Sequence, residues 1–224
     1  MTRTSNARLA GFTFLAYIAT GILDMVFFRS AAAGTGASAQ LASIAQHPTL
    51  VRLSGLLTLL TFFEALILGV TLYALTRDED RDLAVLALSC RAAEGILGAA
   101  SAVRTMQILS VATAIPTTES SASIALGTSL LATGGSSMVI GATCFAVGST
   151  LFSYLFLRAR SIPVWLAWLG VLASLLLVIA LAVRLLGFLP ASLAWPIWMP
   201  MLAFEVTLAI WLIVKGVAVP ERRS

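Results

Sequence analysis

Six stretches of this chain are too long and too apolar for water to be their solvent: residues 9–28, 53–75, 83–105, 136–157, 164–184 and 196–215. At about 1.5 Å rise per residue, each crosses a hydrocarbon core about 30 Å thick. Lipid offers backbone N–H and C=O groups no partners, so only helices or closed barrels span it, and none of these runs alternates as a barrel strand does. The expected fold class is therefore all-α, a polytopic membrane protein built as a bundle of six transmembrane helices. The 224 residues, 59% hydrophobic and 11% charged, leave no length for a soluble domain, so one membrane domain over 1–224 is expected.

Connections are marked by turn chemistry at 77–80, 158–163 and 187–196, and by small and polar residues at 30–36 and 116–123. The third helix can continue through Met106 and Leu109, because neither glycine nor proline interrupts it between Gly98 and Pro116. Leu41, Ile44 and Ala45 have helical spacing, which suggests a short interfacial helix before His47-Pro48. Arg3 and Arg8 ahead of an apolar run resemble a secretory signal. That run exceeds the usual 7 to 15 residues and contains Asp24, so a retained span is the better reading.

Sidedness follows from basic residues. With six crossings, Arg3, Arg8, Arg77, Arg81, Arg158, Arg160, Lys215, Arg222 and Arg223 share one side, against Arg29 and the helix-end Arg52, Arg104 and Arg184 on the other. Both termini are therefore placed in the cytoplasm. Trp165, Trp168 and Trp211 then lie near one headgroup boundary and Trp195 and Trp198 near the other.

Ionisable side chains inside such spans carry the chemistry, since each unpaired charge near mid-bilayer costs roughly 2.5 to 3.5 kcal/mol on an insertion scale. Counting from the inner ends puts Glu64, Arg91, Glu94 and Glu205 at depths of about 12 to 17 Å, a candidate ligand-binding layer of three acids and one base. Arg91 and Glu94 are three residues apart on one helix face and can pair, while the guanidinium can also fork to Glu64 or Glu205. The surplus of carboxyls implies that one of them holds a proton or a cation. A second, net basic layer comprises Asp24, Arg52, Arg104 and Arg184, a candidate contact for an anionic ligand or lipid headgroup. Ser54, Thr58 and Thr61 either bond back to their own helix or line a polar path. Ser137, Gly141, Cys144 and Gly148 form a small-residue stripe suited to helix packing, with Gly95 and Gly98 as its counterpart. Phe63-Glu64 and Phe204-Glu205 hint at similar placements in two helices of the same direction.

Other chemistries find little support. Cys90 and Cys144 lie at different depths and read as free thiols, and the single His47 has no clustered partners, so no metal site and no cofactor are expected. No phosphate-cradling loop or dinucleotide fingerprint occurs. The basic residues are scattered over loops, so the net charge of +4 reflects topology and no nucleic-acid partner is expected.

The segments Arg8-Leu9-Ala10-Gly11, the helix start from Arg52 to Glu64, Cys90-Arg91-Ala92-Ala93-Glu94, the 157–170 stretch with Arg158, Ser161, Pro163 and Leu169-Gly170, and Trp211 to Val217 have a recognisable order. Together they resemble the bacterial membrane family catalogued as "domain of unknown function 4386", over nearly the whole chain. Trp165 stands where the resemblance leads one to expect a base. The resemblance implies a six-span bacterial membrane protein and brings no activity with it. Three functions remain open: binding or transport of a small, partly apolar solute or lipid at Glu64, Arg91, Glu94 and Glu205; a regulatory or assembly subunit; or an intramembrane enzyme using paired carboxylates. Expected partners are membrane lipid, a small-molecule ligand, and a second copy or a membrane partner subunit.

Overall fold

A computed structural model describes residues 2–118, 121–193 and 195–218, the side chains of 115–118, 121, 135–137 and 191 excepted. Among them are seven α-helices and no strand: α1 (Arg3–Ala31), α2 (Ala37–Gln46), α3 (Pro48–Thr76), α4 (Arg81–Thr118), α5 (Ser121–Ala159), α6 (Val164–Leu185) and α7 (Met199–Val214). Helices α1, α3, α4, α5 and α6, and the stretch Pro196–Val214 that ends in α7, are long and apolar enough to cross a membrane. The protein is thus an all-α, multi-pass membrane protein. The short α2 buries Leu41 and Ile44, two of the three positions that its spacing singles out, and half-buries the third, Ala45.

The helices form two compact units, one of Met1–Tyr17, Glu64–Gly95 and Val139–Ser224, the other of Ile18–Phe63 and Ile96–Met138. In the first, Ala7, Ala10 and Phe14 of α1 pack with Leu68 and Leu72 of α3, Phe152 and Phe156 of α5, Leu177 of α6 and Leu208 and Leu212 of α7. The start of α1, the α3–α4 turn and the end of α5 meet in a polar knot. Arg3 lies 3.5 Å from Asp78 and donates to the Leu75 carbonyl at 3.1 Å, while Arg158 reaches Glu79 at 2.8 Å and Asp80 at 3.2 Å. Asp80 also caps α4 by accepting from Leu83 N at 3.1 Å.

The second unit departs from the sequence reading. Helix α4 runs to Thr118 and α5 begins at Ser121, so little of the connection anticipated at 116–123 remains between them. At 38 and 39 residues, these helices are about 57 Å and about 58 Å long, well beyond one hydrocarbon thickness. Packing explains the extension: Ile108, Leu109 and Ala112 of α4 and Leu130 and Leu131 of α5 join Leu41 and Ile44 of α2 and Val51 of α3 in a second apolar core. That burial overrides the weak helix propensity of Gly127 and Gly134.

Helix ends obey backbone sterics with one exception. Helix α6 stops at Gly187, whose φ of +81° is the left-handed value glycine tolerates, with Phe188 N donating to Val183 O. Helix α5 ends the same way at Arg160, with Arg160 N on Leu157 O and Ser161 N on Phe156 O, but here a side-chain-bearing residue sits at φ 48°. Arg160→Gly should therefore raise stability by about 1 kcal/mol, read from denaturant unfolding in detergent, and an unchanged midpoint would contradict this.

Candidate functional site

Four helices of the first unit contribute to one buried cluster. Arg91 on α4, only 2% exposed, is the largest fully buried side chain in the protein. Its Nη1 lies 2.8 Å from Glu94 Oε2, one helical turn further on, as the spacing of three residues allows. Tyr17 of α1 donates its hydroxyl proton to the other oxygen, Glu94 Oε1. The Tyr17 ring and the Phe145 ring of α5 lie 5.2 and 5.1 Å from Arg91 Cζ, within cation–π range. Glu205 of α7, 6% exposed, interacts electrostatically with both Arg91 and Glu94. Burial of this much polarity is tolerable only because charge, hydrogen bonds and ring faces answer one another.

Local sequence explains how the cluster is held. Gly69 of α3 and Gly148 of α5 lie against the Arg91 stem, where an added Cβ would fall 3.1 Å from Arg91 Cβ and 3.6 Å from Arg91 Cδ respectively. Gly148 also faces Cys90 and the Ala87 carbonyl, so the small-residue stripe does bring α5 close to α4. Ser137 lies outside the described side chains, and Gly98 takes no part, since a Cβ there would meet nothing within 4 Å. Cys90 and Cys144 are free thiols.

Of the anticipated midplane layer, Arg91, Glu94 and Glu205 come together. Glu64 is buried on α3 in the same unit and has a polar partner of its own. Arg91 forms an ion pair with Glu94 and lies near enough to Glu205 to interact electrostatically. The Phe-Glu parallel holds for the acids only, because Phe204 is buried and Phe63 is exposed.

The anticipated outer layer draws on both units. Asp24, Arg52 and Arg104 belong to the second unit and Arg184 to the first. Both carboxyl oxygens of Asp24 accept from α3 hydroxyls, Oδ1 from Ser54 Oγ and Oδ2 from Thr58 Oγ1 at 3.1 Å. Thr58 and Thr61 also bond back to the carbonyls of Ser54 and Leu57, while Ser54 reaches across to α1. Arg52 is exposed, whereas the half-buried Arg104 guanidinium lies against the α5 backbone, its Cζ 3.3 Å from where a Gly134 Cβ would stand.

Tyr17 is the functional side chain that sequence reasoning missed. It lies about 12 Å along its span, the same depth as Arg91, and a buried tyrosine hydroxyl needs a partner, so matching depths would have found it.

The family described as "Domain of unknown function (DUF4386)" matches residues 9–216, nearly the whole chain. The chain belongs to this family. No curated protein and no solved structure matches it. The DUF4386 match includes every residue of the cluster, from Tyr17 to Glu205. Among the described residues of this DUF4386 protein, no group of three or more His, Cys, Asp or Glu side chains is placed to hold a metal ion.

Proposed function

We propose that this DUF4386 protein binds or transports a small, partly apolar solute or lipid, using Glu64, Arg91, Glu94 and Glu205 as its intramembrane polar site. One observation carries the reading. Arg91, Glu94 and Glu205 are turned into the protein and concentrated in one place, where two carboxyls answer one guanidinium. An assembly subunit would present such charges to a partner's helices, and these are at most 9% exposed. The aromatic rings of Tyr17, Phe145 and Trp198 supply apolar surface beside the charges, with Phe145 and Trp198 centroids 6.2 Å apart. The basic residues around the polar knot support a cytoplasmic position for that end, in a bacterial inner membrane.

A stability screen on the full chain in detergent tests this. Some small solutes are expected to raise the unfolding temperature saturably, and Glu205→Gln, close in shape to the native residue, should remain folded yet lose that rise. A broad solute and lipid panel with no saturable shift, or a rise unchanged in Glu205→Gln, would overturn the reading.

A further inference from the structure

The Arg91 guanidinium is only half used. Nη1 serves Glu94, whereas Nε and Nη2, the two nitrogens that share the other edge of the planar fork, have no hydrogen-bond partner among the described residues although they are buried. Glu205 Oε1 is likewise buried without one. Buried polar atoms left unmatched cost about 1 to 3 kcal/mol each, so three of them around one ion pair is a concentration that packing alone does not explain. A fourth such atom, Glu94 Oε2, is answered by charge alone, 2.8 Å from Arg91 Nη1, while Glu94 Oε1 accepts from Tyr17.

The unmet groups have a definite chemical complement. A planar edge with two N–H donors matches the two oxygens of a carboxylate, and a carboxyl oxygen matches an ammonium donor. Charge then decides between ligands. A simple anion would add negative charge where carboxyls already outnumber the guanidinium, and a simple cation would leave the Arg91 edge unanswered. A molecule carrying both groups answers both sites and adds no net charge. Tyr17, Phe145 and Trp198 favour an apolar remainder.

We infer that the solute is a small zwitterion of the amino-acid type with an apolar side chain, its carboxylate on the Nε–Nη2 edge of Arg91 and its ammonium on Glu205 Oε1. This rests on the binding reading above and narrows it to a class.

Three probes that share one isobutyl side chain separate the groups: L-leucine, 4-methylpentanoate, which lacks the ammonium, and isopentylamine, which lacks the carboxylate. Calorimetric titration of each into the purified full chain should show leucine binding at least about tenfold tighter than either analogue, the factor a buried group left unmatched imposes. In Glu205→Gln the advantage of leucine over 4-methylpentanoate should vanish. The comparison within the native protein stands even if that variant misfolds. Either analogue matching leucine, or leucine keeping its advantage in Glu205→Gln, would overturn the zwitterion. If leucine fails to bind while other solutes give saturable shifts in the panel, the class is wrong and the site stands. If nothing in the panel binds, the site reading itself fails.

Discussion

Replacing Arg91 with alanine should cost this protein about 3 to 5 kcal/mol of stability, because it leaves Glu94 and Glu205 as buried carboxyls without their cation. The variant also removes a stem packed beside Gly69 and Gly148 and a cation within reach of two rings, so volume and charge are lost together. Charge can be separated from volume. Arg91→Met keeps most of the bulk and should still destabilise, whereas adding Glu94→Ala to Arg91→Ala should recover part of the loss by removing the orphaned acid. Reversible unfolding in mixed detergent micelles measures each. A loss under about 1 kcal/mol for Arg91→Ala would mean that the pair is not held in a dry interior.

Gly11→Ala should be nearly as damaging from a single methyl group. A Cβ at Gly11 would lie 2.6 Å from the Ala209 carbonyl oxygen and 2.7 Å from Ile213 Cγ1, so α1 must move away from the α7 backbone to admit it. Overpacking of this kind costs about 1 to 3 kcal/mol, here at the upper end because backbone cannot rotate aside, and Gly11→Val should cost more. Gly21→Ala in the same helix is the control. Nothing lies within 4 Å of its added Cβ, so stability should hold or rise slightly. Equal melting of the two alanine variants would show that α1 does not pack on α7 through Gly11.

How far the chain could be read from its letters depends on what each signal measures. Apolar length marks the spans because 30 Å of hydrocarbon is an absolute ruler, and all six helices stand where the runs are. Length says nothing of where a helix stops once it leaves lipid. Hence the continuation of α4 past Met106 and Leu109 could be read only as allowed, from the want of a breaker before Pro116, and the extension of α5, which depends on a core built with α2, was missed. Depth counting united Arg91, Glu94 and Glu205, since residues at one height can meet. It could not say which way each side faces, so it also grouped Asp24 with three arginines, although Asp24 takes its hydrogen bonds from Ser54 and Thr58. Tyr17 escaped because a search for charges passes over a hydroxyl that becomes important only when buried.

The contact at Gly11 also bears on the order of assembly. Helix α1 leaves the ribosome with Gly11 uncovered, and Ala209 and Ile213, which cover it, are synthesised about two hundred residues later. Joining α1 to α7 is a late, long-range step, of the kind that slows folding and prolongs exposure of unfinished surfaces. Biogenesis of this protein should therefore lean on an insertase or chaperone that shelters α1 until α7 arrives.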